Sequence, residues 1–206
     1  MGLREPAQDR SQQARQRILD AALEVLAERG MAGVTHRAVA RRAGVSLSAT
    51  SYYFGSGAQL ERAAIETHYA ARIADYAAIT DALTESSASP AEIADAVAEL
   101  LTSSGLDLVL AHFEVYLNAA RRADLREIVA PVLAAMRQLA EAVASTIGID
   151  DAAGFATAAI AIIEGVELRR LAEGIDGRDE MAASLRLLAA GALALQDAWP
   201  DDAGGR

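Results

Sequence analysis

The chain contains no cysteine, which removes disulfides, thiolate chemistry and cysteine-based zinc sites from consideration. It contains no lysine either: all 19 basic side chains other than histidine are arginine. Aromatic residues make up 4 % of the chain and prolines number four. Sparse proline leaves room for long helices, which the abundant alanine and leucine favour intrinsically. No continuous apolar run reaches the roughly 20 residues that a membrane span needs. The first apolar segment starts at Ile18 and is broken by Asp20 and Glu24, unlike a secretory signal. The opening Met1-Gly2-Leu3-Arg4-Glu5-Pro6 lacks the hydroxyl residue of a myristoylation signal. Gly-x-Ser-x-Gly, His-Glu-x-x-His and phosphate-cradling glycine loops are also missing. The expectation is a soluble, cytoplasmic protein with no membrane partner, no enzymatic activity, no cofactor and no metal.

What is present is an apolar, acidic chain with an uneven charge. At 206 residues with 52 % apolar side chains, it can form one large domain, or a small domain joined to a larger one. The net charge is −10. Residues 1–60 carry eight arginines against five acids, net +3, and residues 61–206 carry eleven against twenty-four, net −13; together they return the total. A mildly basic head on an acidic body is compatible with binding nucleic acid through the head alone.

Apolar residues recur at helical spacing along the chain. Residues 1–10 read as a polar arm. A first helix runs from about Gln12 to Arg29 and stops at Gly30. Thr35 caps a short helix ending at Gly44, and its inward residues are expected to be Ala38, Val39 and the stem of Arg42. Ser46 caps a third helix reaching Tyr53. Longer helices follow over residues 58–83, 91–101, 106–121, 124–147, 150–173 and 179–198. The tract from Thr84 to Pro90 reads as a loop and the last six residues as a tail. No segment has the alternation of a strand. The predicted fold is all-α: an N-terminal three-helix helix-turn-helix domain followed by a larger helical bundle, about nine helices in total. The division falls at residue 57, with the arm and three short helices over 1–57 and the larger helical bundle over 58–206.

The stretch THRAVARRAGVSLSATSYYF has the makings of a DNA reader. Ala40 allows close helix approach, Gly44 tolerates a sharp turn, and Val45 fills the hinge. The following helix presents Ser46, Leu47, Ser48, Ala49, Thr50 and Ser51, short enough to lie deep in a major groove. Hydroxyls there, and on Tyr52 and Tyr53, reach bases or phosphates. The amides at Thr35 and His36 suit a phosphate, and Arg37, Arg41 and Arg42 add positive charge nearby.

Residues 12–60 resemble the DNA-binding domain of the TetR family of bacterial transcriptional regulators. The likeness rests on Arg29-Gly30, Val34-Thr35, the run Ala40 to Val45, Ser51-Tyr52-Tyr53-Phe54 and Leu60. It implies a homodimer whose second and third helices read DNA and whose fourth leads to a ligand-binding body. It also implies backbone contacts at Thr35 and His36, groove-facing positions at Leu47, Ser48, Ala49 and Thr50, and backbone or packing roles for Tyr52 and Tyr53. Two positions depart from the family pattern: Ser51 stands where an aromatic is common, and Gly57 where lysine is common. Repressor action, with release from a near-palindromic double-stranded DNA operator by a small molecule, is what the resemblance implies. A helical protein–protein adaptor that has lost DNA binding is the alternative.

In the body, His112 and Tyr116 lie four residues apart on one helix face. With Tyr69 and Asn118 they either line a ligand cavity or form hydrogen-bonded core. Val109, Phe113 and Leu117 form that helix's apolar side. An acid–base pair of His112 and Glu114 would need both groups in one cleft, yet they are two apart and point in different directions. Asp107, His112 and Glu114 lack metal-ligand spacing. The effector is expected to be largely apolar, and the acidic body favours a neutral or cationic one. The segment from Asp151 to Ile163 is apolar nearly all round and so needs burial on two sides. Phe155, Ala159, Ile162, Ile163, Val166, Leu185, Leu188 and Ala192 are the expected homodimer interface. An all-round core helix within one subunit is the alternative.

Overall fold

The computed structural model describes residues 7–84 and 88–198. The first six residues of the expected arm, much of the loop after Thr84 and the expected tail lie outside them. The described residues form nine α-helices and one short 3-10 turn, with no strand. The helices are α1 (Ala7–Arg29), α2 (His36–Ala43), α3 (Leu47–Tyr53), α4 (Gly57–Thr84), α5 (Pro90–Thr102), α6 (Leu106–Ala119), α7 (Ala123–Thr146), α8 (Ala152–Glu173) and α9 (Arg178–Ala198). The 3-10 turn, Met31–Gly33, precedes α2. The chain divides into two compact units: residues up to Ala71 with Asp107–Val129, and Arg72–Leu106 with the rest from Ala130.

In the first unit, α1 packs on α2 and α2 on α3. The α1 core residues Ile18, Leu19, Ala22, Val25 and Leu26 follow the 3.6-residue repeat and are almost wholly buried. The helix begins about five residues earlier than its apolar pattern predicts. Its first turns carry no apolar stripe for periodicity to detect. They are held by tertiary contacts instead: the Ser11 hydroxyl lies 3.0 Å from Tyr53 Oη, and the Arg15 guanidinium sits 5.4 Å from the Phe54 ring centre.

The turn between α2 and α3 is set by local chemistry. Thr35 Oγ1 accepts from the Ala38 amide at 3.2 Å, and Ser46 Oγ accepts from the Ala49 amide at 3.2 Å; each satisfies one orphan donor of a helix start. Gly44 ends α2 in the left-handed region, φ 65° and ψ 34°, with its amide on the Ala40 carbonyl. On α2 the buried residues are Val39 and Ala40 rather than Ala38. A Cβ on Gly44 would meet nothing within 4 Å, so a substitution there meets backbone strain alone. Gly44→Ala is expected to lower stability by about 1–2 kcal/mol, read by urea unfolding, with a far-ultraviolet spectrum unchanged at 20 °C.

In the second unit, α9 packs against α5 and α8. Ser89 and Glu92 form a full capping box at α5, with Pro90 in its first turn. Arg186 pairs with Asp95 and Arg178 with Glu99, both joining α9 or its start to α5. By length and mean hydropathy α7 is able to cross a membrane. Its Leu125, Val132, Met136 and Leu139 are nevertheless buried, and Arg126, Glu127 and Arg137 are exposed, which is the pattern of an amphipathic core helix.

Candidate nucleic-acid interface and ligand cavity

α3 turns one face to solvent. Leu47 is 50 % exposed and Tyr52 83 %, and Ser46, Ser48 and Ser51 lie exposed beside them. Ala49 is half-buried. Thr50 corrects the sequence expectation: it is completely buried, and its hydroxyl donates to the Leu47 carbonyl at 2.8 Å. It is a packing residue of α3, and Ser51 takes its place on the outer face. Tyr53 is half-buried against α1, so the paired tyrosines divide into one outward ring and one packed ring.

On α2, Thr35 and Arg37 are exposed. His36 turns its ring inward, with both ring nitrogens buried and lacking hydrogen-bond partners; its outward group is the backbone. Arg42 is committed elsewhere. It bridges Glu24 at 2.9 Å and also pairs with Glu28, both on α1, and this bond holds the Glu28 carboxyl below its usual range. On α2 the positive charge left unpaired is that of Arg37 and Arg41, both exposed.

Behind this surface the same unit contains α6. Tyr69 Oη lies 3.3 Å from His112 Nδ1, and the His112 and Tyr116 ring centres are 4.3 Å apart. Asn118 Nδ2 donates to the Glu114 carbonyl at 2.8 Å. Glu114 Oε1 accepts from the Met31 amide at 3.2 Å, across 83 residues of sequence. A Cβ on Gly30 would come within 2.9 Å of that oxygen, so the glycine makes room for the contact. His112 and Glu114 thus serve different partners. Leu117, expected on the apolar side of α6, is 68 % exposed, while Ala111, Val115 and Ala119 are buried. Arg122 adds an ion pair with the buried Glu61 at 2.8 Å and another with Asp124 at 2.7 Å.

The second unit holds an apolar cavity of about 50 Å³, whose walls include Tyr76, Val97, Leu101, Met136, Phe155 and Ile163. Tyr69, His112, Tyr116 and Asn118 are not among its lining residues. Tyr76 brings the cavity's hydroxyl, a group that the sequence reading missed; the signal was Arg72 one helical turn before it.

α8 and α9 carry an open groove of about 1030 Å³ lined by small and apolar residues, among them Gly154, Ala158, Ile162, Leu188, Gly191 and Ala192. Leu187 and Leu195 on the same groove are 75 % and 61 % exposed. Five of the residues expected at a dimer interface, Phe155, Ala159, Ile163, Val166 and Leu185, are buried within the single chain. Phe155 still lines the groove, whereas Ala159, Ile163, Val166 and Leu185 face the chain's own core: an apolar pattern on every side of a helix does not reveal which side faces inward. Ile162, Leu188 and Ala192 remain accessible.

Two family models cover this architecture. The bacterial regulatory proteins of the tetR family match residues 18–64, and the tetracyclin repressor-like C-terminal domain matches residues 88–195, over half of the chain. The chain belongs to the TetR family. It is a TetR-family transcriptional regulator with a DNA-binding helix-turn-helix. The multidrug binding protein EbrR, solved with proflavin, is 28 % identical with a TM-score of 0.55, the match covering 85 % of this chain and 99 % of that one. A TetR-family member from Streptomyces coelicolor A3 is also 28 % identical, with a TM-score of 0.61, covering 85 % and 97 %. A transcriptional regulator from Saccharomonospora viridis, in complex with choline, shares the fold at a TM-score of 0.71 and 23 % identity, covering 87 % and 96 %. No curated protein matches the chain.

Proposed function

We propose that this TetR-family chain is a cytoplasmic, homodimeric repressor that binds a near-palindromic DNA operator and releases it when a small molecule enters the body. The observation that carries the reading is the outer face of α3. Leu47, Ser48, Ser51 and Tyr52 form a surface of short residues with one aromatic at its end, set by two capped helices and flanked by the exposed Arg37 and Arg41 on α2. Such a face fits a major groove and uses hydroxyl and methyl contacts, with arginine charge supplied from the preceding helix. The head spans residues 1–57 and the ligand-binding and dimerisation body residues 58–206. Thr35 and the backbone at His36 hold phosphate in this reading.

The open groove of α8 and α9 supports the homodimer. Exposed leucines beside glycine and alanine let a second copy's helices approach closely, and a two-fold pair of heads fits half-sites about 34–36 Å apart. The apolar cavity supports an effector with a largely apolar body, and the multidrug binding protein EbrR was solved in complex with the small molecule proflavin. Helix α4 supplies residues to both units and is the lever of the switch. An effector that prefers one head spacing opposes DNA by linkage.

Selection of sites from random duplex DNA, followed by anisotropy at two salt concentrations, tests the reading. The expected outcome is an inverted repeat whose binding weakens by at least about tenfold between 50 and 200 mM salt. A folded dimer that enriches no sequence would return the chain to the adaptor alternative.

A further inference from the structure

Of the six arginines among the described residues of the second unit, four are paired. Arg169, Arg170, Arg178 and Arg186 each meet a carboxylate, and Arg137 is exposed to solvent with Thr157 as its neighbour. Arg72 differs. It is half-buried; its hydrogen bonds go to neutral groups, Nη1 to Ser104 Oγ at 3.1 Å and Nη2 to Tyr76 Oη at 2.6 Å, and the carboxylate of Glu167 acts on it through space only. Its guanidinium also lies 5.2 Å from the Tyr76 ring centre.

This fixes what Tyr76 can offer. Its oxygen is already an acceptor for Arg72, so its proton points elsewhere. The acceptor it finds is the thioether of Met136 at 3.9 Å, a weak one. Tyr76 is 3 % exposed and lines the apolar cavity. A guanidinium behind a hydroxyl polarises the O–H and strengthens it as a donor. The cavity wall therefore carries an underused donor backed by a positive charge.

We propose that the effector is an amphipathic organic anion, a compact branched or aromatic tail with a carboxylate head, whose head accepts the Tyr76 hydroxyl proton while Arg72 supplies the charge. The inference deepens the proposed function, since it rests on the cavity being the effector site. It reverses the preference suggested by the acidic body, because the field at the cavity comes from the nearest groups rather than the net charge of the chain. The opposing group is Glu167, one helical turn beyond the wall residue Ile163. Its Oε1 is bound to Arg170 at 2.8 Å, while its buried Oε2 has no hydrogen-bond partner. A cationic head would seek that oxygen.

Three probes with one carbon skeleton separate these outcomes: 3-methylbutanoate, 3-methylbutan-1-ol and 3-methylbutan-1-amine. Titrations on the full-length protein follow the methyl signal of labelled Met136, which reports the cavity directly. The carboxylate is expected to bind about 10–100 times more tightly than the alcohol, the span of one hydrogen bond to a charged group. Tyr76→Phe and Arg72→Met are each expected to erase that advantage while leaving alcohol affinity within about twofold. The wild-type comparison needs no variant, so a variant that fails to fold does not blunt the test. Tightest binding by the amine, lost in Glu167→Gln, would overturn the anion and leave the cavity standing as an effector site. Equal affinity for alcohol and carboxylate would do the same. Binding of none of the three would remove the cavity itself and the proposal with it.

Discussion

Replacing Arg170 by methionine is expected to destabilise the protein by about 3–5 kcal/mol, the range for breaking a buried ion pair from one side. The Arg170 side chain is 3 % exposed and that of Glu167 12 %. Arg170 also donates to the Thr102 carbonyl at 3.1 Å, tying the end of α8 to the end of α5, and its stem fills the space where Gly177 has no side chain. The loss is therefore a stranded carboxylate and a loosened corner together. Urea unfolding measures it. Changing Glu167 to leucine in the Arg170→Met background is expected to recover most of the loss, because no buried charge then remains; no recovery would place the cost in the corner contacts. The pH dependence has a defined sign. Burial raises the Glu167 pKa, against the smaller lowering by Arg170 and Arg72. The folded state thus keeps this proton to a higher pH than the unfolded chain. Stability falls as pH climbs from the ordinary carboxylate value through the raised one. Glu167→Gln is expected to remove that part of the slope, seen as the difference between the two proteins' unfolding curves across pH 4–8.

Ser48→Glu is expected to reduce operator affinity by about 100-fold or more while leaving the fold intact. Ser48 is exposed near the start of α3, and its hydroxyl lies 2.9 Å from that of Ser46. An acid in the first turn suits the helix dipole, so the head is not expected to lose stability. On DNA the same carboxylate faces phosphates and base acceptors, and like charge across an interface costs several kcal/mol. Anisotropy with the selected site measures the loss, and thermal unfolding provides the control. Retained affinity in a protein of unchanged melting temperature would mean that α3 does not face the groove.

The local grammar of the head was legible because each signal is decided within four residues. Thr35, Gly44 and Ser46 act on amides and carbonyls of their own turns. The inward turn of Thr50 was not legible. A threonine among serines reads as polar, yet its hydroxyl is satisfied by a carbonyl three residues back, leaving the methyl group to pack. The arginine-rich face of α2 was over-read, since Arg42 binds acids on α1 that lie 14 and 18 residues away. On α8, Ala159, Ile163 and Val166 turned out to face the chain's own core for a different reason: helices apolar all round carry no phase. Glu114 drew notice in the sequence as a possible acid–base partner of His112, but its partner is a backbone amide, and backbone groups leave no mark in a sequence.

The contacts of Glu114 and Arg122 also bear on the order in which the protein is made. Residues 107–129 belong to the first unit, so the segment before Ala71 is synthesised before its contacts with Glu114 and Arg122 can form. Until residue 122 has emerged, Glu61 waits without its guanidinium and the Met31 amide without its carboxylate. Domains commonly fold in order of synthesis; here the DNA-reading helices are translated well before residues 107–129, and their setting is finished only once that later segment joins the same unit.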